Sequence, residues 1–189
     1  GLFVPTDDGI SFDNSDPAYF LVPNGLIQFD YRKNWWVGVE LEPRFAGPIA
    51  DSAIFSFDDF TVQFATNSVV MGIPSGNDVV LPLNWNTGQL IRLVVSYDSV
   101  TNTMTMAARV GSADTVSVSV VMTHTMVGYA QHFRIAADPS VSLRSNYVLR
   151  RFVLNQSDNV DIDDFMADPS SWILKSTYAA NDTGKTNGA

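Results

Sequence analysis

Apolar and polar residues alternate along short runs of this chain, with turn-forming residues every eight to twelve positions. Such a pattern predicts many short β-strands and almost no helix. The runs at 26–31, 35–43, 53–57, 60–65, 69–73, 90–98, 103–110, 116–123, 132–137 and 147–156 carry it, and no repeat of fixed period links them. Because side chains alternate along a strand, 35–43 places Trp35, Val37, Val39 and Leu41 on one face and Trp36, Gly38, Glu40 and Glu42 on the other. The first face is expected to be core and the second wet. In the same way Ile91, Leu93, Val95 and Tyr97 face inward with Met104, Met106, Ala108 and Val110, opposite Arg92, Ser96 and Asp98 and opposite Thr103, Thr105 and Arg109. Asp98 to Asn102 closes a hairpin between these two runs, since Asp and Asn bond back to local backbone. A change of apolar phase predicts a second turn, or a bulge, at Asp58-Asp59. The run at 147–156 is apolar on both parities, as expected of a strand covered on both faces, although Arg150 and Arg151 interrupt it. Asp161 to Ala167 reads as one short helix with Asp161 as N-cap, ended by Pro169.

Composition narrows the class. Hydrophobic residues make up 46% of 189 residues and charged residues only 16%, below the usual share of about 25%. A single sandwich domain over 1–178 is expected, with 179–189, rich in Asn, Thr and Gly, as a flexible tail. Of the 20 acidic residues 18 are Asp, which suits loops and turns better than helices. The net charge of -9 repels phosphate backbones and anionic lipid, so nucleic acid and membrane insertion are not expected. No apolar run reaches the length of a membrane span. Cysteine is absent, which excludes disulfides and thiolate chemistry, and two histidines do not make a zinc cluster.

Three segments carry a resemblance. Leu90-Ile-Arg-Leu-Val-Val-Ser-Tyr-Asp-Ser-Val-Thr-Asn-Thr-Met-Thr-Met is similar to the hairpin of concanavalin A-like and laminin G-like domains, with its Tyr-Asp step and Asn/Thr turn. His132-Phe-Arg-Ile-Ala-Ala resembles their Phe-x-Ile-Gly strand, with Ala136 where glycine is expected. Tyr147 to Leu154 with the Asp-rich helix resembles their closing strand and helical turn. The resemblance implies an all-β, two-sheet antiparallel jelly roll with one short C-terminal helix. Lectins, adhesive modules of extracellular and phage virion proteins, and some polysaccharide hydrolases and lyases share that fold, so fold alone does not choose among them.

The residues argue against catalysis. Laminarinase-like hydrolases of this fold use Glu-x-Asp-x-x-Glu on one strand, whereas this chain has only Glu40-Leu-Glu42. Alginate-lyase relatives use Gln-x-His and Tyr-x-Lys, whereas Gln131-His132 is adjacent and Tyr-x-Lys is missing. Recognition needs an aromatic platform with polar neighbours. Trp36 with Glu40 on the outer face, Arg92 and Arg109 from the adjoining hairpin, and Tyr129 in a loop are the candidate ligand-binding residues, set against the simpler view that Trp36 packs under a loop and the charges form solvated cross-strand pairs. Trp85 reads as a core anchor. No cofactor is expected; calcium is the one metal considered, from the Asp7-Asp8, Asp58-Asp59 and Asp161-Ile-Asp163-Asp164 clusters, none of which has a calcium-loop pattern. The expected function is a non-enzymatic surface-recognition module for a glycan or partner protein, on an extracellular or virion surface. The alternatives are a virion structural protein that works by homo-oligomeric or larger assembly, and a polysaccharide hydrolase or lyase.

Overall fold

The computed structural model describes residues 4–6, 9–12, 20–22, 30, 32–45, 52–57, 60–73, 78–123, 133–138, 140, 145–156 and 162–167. Among them the elements run β1 (Val4–Thr6), β2 (Gly9–Phe12), β3 (Phe20–Val22), β4 (Trp35–Pro43), β5 (Ser52–Phe57), β6 (Phe60–Ala65) and β7 (Ser68–Gly72). There follow β8 (Val79–Pro82), β9 (Ile91–Asp98), β10 (Thr103–Val110), β11 (Val116–Val121), β12 (Phe133–Ile135), β13 (Tyr147–Asn155) and α1 (Ile162–Ala167). The strands form two antiparallel sheets, a larger one in the order β1-β2-β13-β4-β9-β10-β11 and a smaller one in the order β3-β12-β5-β6-β7-β8.

The inward sides of both sheets meet in one apolar core. Trp35, Val37, Val39 and Leu41 of β4, Ile91 to Tyr97 on alternate positions of β9, and Met104, Met106 and Ala108 of β10 face Phe55, Phe57, Phe60, Val62 and Phe64 of the smaller sheet. The predicted inward faces of the 35–43, 90–98 and 103–110 runs are therefore the observed ones. Aromatic rings line the contact: Trp35 meets Phe57 edge-on at 5.3 Å, a geometry that the ring quadrupole favours, and Phe57 stacks on Phe60 at 4.8 Å. Trp85 is a core anchor as expected, its Nε1 donating to Phe45 O at 3.1 Å and its ring 4.9 Å from Phe64.

Two irregularities set the phase of the sheets. Between Leu149 and Arg151 the register of β13 against β4 shifts, leaving Arg150 as the extra residue, so Tyr147 and Leu149 face the core before the shift and Phe152 and Leu154 after it. The mixed parity of this run thus arises in part from a bulge, and in part from cover on its outer side. A second shift lies between Ala53 and Phe55 of β5. There Ile54 O accepts the backbone N–H of Ala136 at 2.8 Å and the Tyr147 hydroxyl at 3.1 Å, which ties the larger sheet to the smaller through the core. Burial holds the Tyr147 hydroxyl well above the usual phenol range, so it stays a donor.

The hairpin expected at Asp98 to Asn102 is present. Asp98 Oδ1 accepts from Val100 N at 2.9 Å and its Oδ2 from Thr101 Oγ1 at 2.9 Å, while Asn102 adopts the left-handed φ of 53° that asparagine tolerates. At the turn or bulge expected at Asp58-Asp59, β5 and β6 pair antiparallel up to Phe57↔Phe60, and residues 58–59 themselves lie outside the described residues. So do all residues but Asp30 of the strand expected at 26–31, the N-cap at Asp161 and the tail at 179–189. Asp30 is described, and it is not in a strand.

Candidate functional site on the outer face of the larger sheet

Pairing extends the outer face of β4 sideways across β9 and β10. Register sets Glu40 beside Arg92 and Arg92 beside Arg109, so the three charged residues expected to share a face do share it, in one row. Trp36 lies on the same side, next to Ser96.

The expectation of a wet face around Trp36 is overturned, because α1 lies across it. Trp36 is 1% exposed and meets Phe165 edge-on at 5.8 Å. With Val94, Ala107, Val153 and Met166 these rings form a second, smaller apolar core outside the sheet. Gly38 makes the docking feasible: a Cβ there would stand 2.6 Å from Cε2 and Cζ of Phe165, so the room above this glycine is filled by that ring. An indole buried in this way has no free face to stack on a ligand, and Trp36 is not a recognition platform. It takes the covered role weighed against that one, under a helix.

The charged row serves the same docking. Arg92 Nε donates to Glu40 Oε2 at 3.0 Å, and Arg151 Nε stands 3.4 Å from Glu40 Oε1. Arg92 Nη1 also donates to the carbonyls of Met166 and, at 3.1 Å, Ala167, and Arg109 Nη1 reaches Met166 O at 3.5 Å. The last carbonyls of a helix lack donors within it and carry partial negative charge, so guanidinium groups are their natural partners. Arg92 and Arg109 would repel each other as direct cross-strand neighbours, and Glu40 with the helix end offsets that repulsion. Glu42, one pair further along, accepts from Arg150 Nε at 3.1 Å. Both glutamates of the chain are thus engaged by arginines, Glu40 through the same Arg92 that holds the end of α1.

Tyr129 lies outside the described residues, as do Asp7, Asp8, Asp58, Asp59, Asp161, His124 and His132. Among the described residues no three His, Asp or Glu side chains are grouped to hold a metal.

Beyond the helix the outer face, among the described residues, is open at Ser117, Ser119 and Val121 and half-buried at Ser96, Thr103 and Thr105, and it carries hydroxyls. Ser96, Thr105 and Ser119 are register partners in one row across β9, β10 and β11; Asp98, Thr103 and Val121 form the next, and on the other side Ser117 pairs with Ala107, which is buried beneath α1. Thr105 Oγ1 and Ser119 Oγ are 2.8 Å apart and exposed. The end of this patch is stiffened by the 98–102 turn, whose bonds to backbone N–H hold the Asp98 carboxyl below its ordinary pKa. Asn102 Oδ1 accepts from the Tyr97 hydroxyl at 2.8 Å and its Nδ2 donates to Met122 O at 2.9 Å. Sequence reasoning passed over these hydroxyls because outward Ser and Thr on a strand read as ordinary solvated positions. The available signal was their coincidence on three consecutive runs.

No family model matches the chain, and no curated protein matches it. Solved structures do. The Ruminococcus gnavus IT-sialidase CBM40 bound to alpha2,3 sialyllactose superposes with a TM-score of 0.55 at 7% identity, over 71% of this chain and 81% of that one. Mouse laminin alpha1 chain domains LG4-5 give 0.60 at 16% identity, over 82% of this chain and 43% of theirs. Trypanosoma rangeli sialidase gives 0.63 at 11% identity, over 93% of this chain but only 29% of the enzyme. The chain therefore has the concanavalin-like, laminin G-like β-sandwich fold.

Proposed function

We propose that this chain is a non-enzymatic recognition module that binds a glycan through the open part of the larger sheet's outer face, on an extracellular or virion surface. The observation that carries the reading is the row Ser96, Thr105 and Ser119, flanked by Thr103 and Ser117 on a regular sheet. Each hydroxyl can both donate and accept, which matches the mixed donor and acceptor pattern of a sugar's own hydroxyls. The fold gives further support, since one structure of the same fold is bound to sialyllactose. A low share of charged residues, with Ser, Thr and Asn in their place, suits a module that works outside the cell. The engagement of Glu40 and Glu42 by arginines favours binding over hydrolysis.

A glycan array probed with the purified chain, in calcium and again with a chelator, tests this. Reproducible hits that vanish in a Thr105→Val, Ser119→Ala double variant with an unchanged melting temperature are expected. Hits that survive the double variant would move the site elsewhere. A blank array in both conditions would overturn glycan binding and favour a protein partner or an assembly role.

A further inference from the structure

The larger sheet ends at β11, and among the described residues nothing pairs with that strand's outer edge. Open edges carry unpaired N–H and C=O groups, and proteins usually blunt them with prolines, charges, bulges or very short strands. The other three edges are blunted in this manner: β1 and β3 have three residues each, β1 with Pro5, and β8 has four and ends in Pro82. Strand β11 has none of these devices. Its six residues, Val-Ser-Val-Ser-Val-Val, pair with β10 without a register shift from Ala108↔Val116 to Thr103↔Val121. Val116 and Val121 are exposed, Val121 at 67%.

We propose that β11 is a homodimer interface, at which a second copy of this chain adds its own β11 antiparallel and continues the larger sheet across a two-fold axis. Three observations select a second copy. The strand is uncharged in a chain of net charge -9, so this edge lets two like-charged molecules approach without setting charges opposite one another on the paired strands. The alternation is self-complementary. A two-fold axis perpendicular to the sheet keeps outer residues opposite outer residues, and with Ser119 on the axis Val118 faces Val120 of the second copy and Ser117 faces Val121, which covers that exposed valine. Finally, that register joins the Ser96, Thr105 and Ser119 row of one copy end to end with the same row of the other. The pairing stands whether or not the hydroxyl face binds a glycan.

The chain has no cysteine, so single cysteines report the geometry cleanly. Residues directly opposite in an antiparallel pair have Cα atoms about 4.5–5.5 Å apart, within disulfide reach. Ser119→Cys is therefore expected to form a covalent dimer under mild oxidation. Ser117→Cys is not, since its counterpart lies four residues along the second strand, about 13 Å away. Light scattering across a wide concentration range should show the parent chain passing from monomer to dimer. Ser119→Lys, which sets two ammonium groups face to face, should remain monomeric with an unchanged melting temperature. A parent chain that is monomeric throughout, with no Ser119→Cys dimer, would overturn the proposal. So would a dimer that survives Ser119→Lys, or one that crosslinks equally through Ser117→Cys.

Discussion

Ala136 occupies the left-handed region at φ 66° with its side chain 2% exposed. It stands where the sequence resemblance expects glycine, and the position explains that expectation, because the backbone must turn there for Ala136 N to reach Ile54 O in the β5 bulge. Alanine bears the strain of positive φ at modest cost, whereas a β-branched residue bears it poorly. Ala136→Val should destabilise the fold by about 3 kcal/mol, from the φ penalty plus overpacking, and urea unfolding followed by tryptophan fluorescence would show it; an unchanged midpoint would mean the turn relaxes freely. Trp36 teaches a different lesson at the same scale. Alternation along 35–43 assigned its face correctly, as it did for Glu40, Arg92 and Arg109. Periodicity reports which side of a sheet a residue is on, but not what a segment more than a hundred positions later lays over that side.

At the scale of elements, α1 is the plainest case of structure held by tertiary contact. Six residues are too few to sustain a helix in water, so α1 depends on Phe165 in the space over Gly38 and on the arginines at its C-terminal carbonyls. Removing the ring should cost about 3–5 kcal/mol by leaving a cavity, mostly in the local docking of α1. Phe165→Ala is expected to expose Trp36 to an aqueous quencher and speed amide exchange in α1 while both sheets keep their exchange protection. Equal loss of protection in the sheets would show instead that α1 and the sandwich unfold as one unit. The helix was legible from its acidic start and apolar Phe165 and Met166. Its docking site was not, because a glycine at position 38 is equally consistent with an empty groove. Strands β1, β2, β3 and β8 also escaped the alternation pattern: each has four residues or fewer, too short for a period of two to stand out.

For the whole molecule, acid is the informative variable. Hydrogen bonds from Val100 and Thr101 lower the pKa of Asp98, and the Arg32 guanidinium lowers that of Asp30. A carboxyl whose folded pKa lies below its unfolded value stabilises the fold fully above that unfolded value, and the contribution is lost as pH falls through the folded pKa. These two groups should therefore leave stability flat from neutral pH down to the carboxylate range and then lower it below about 3.8, the ordinary pKa of an aspartate. Urea midpoints measured at several pH values should follow that course, and Asp98→Asn should make the acid limb shallower. An unchanged acid limb would remove Asp98 from the account. At this scale a sandwich or barrel was legible from the spacing of strands, and the two-sheet form from the resemblance of three segments, but the strand order was not, since nothing local to 147–156 says that it pairs with 10–12 on one side and 36–43 on the other.

That order bears on how the chain comes to be folded during synthesis. Strand β13 sits between β2 and β4, yet among the described residues it is the last strand made, so the larger sheet must wait for more than a hundred residues after β4 before β13 can join it. Until then β4 offers an open edge beside Trp35, Val37, Val39 and Leu41, and long-range pairing of this kind is slow. The nascent larger sheet is thus most prone to aggregation just before β13 emerges, and whatever shields its apolar strands in the cell is needed until β13 is threaded home.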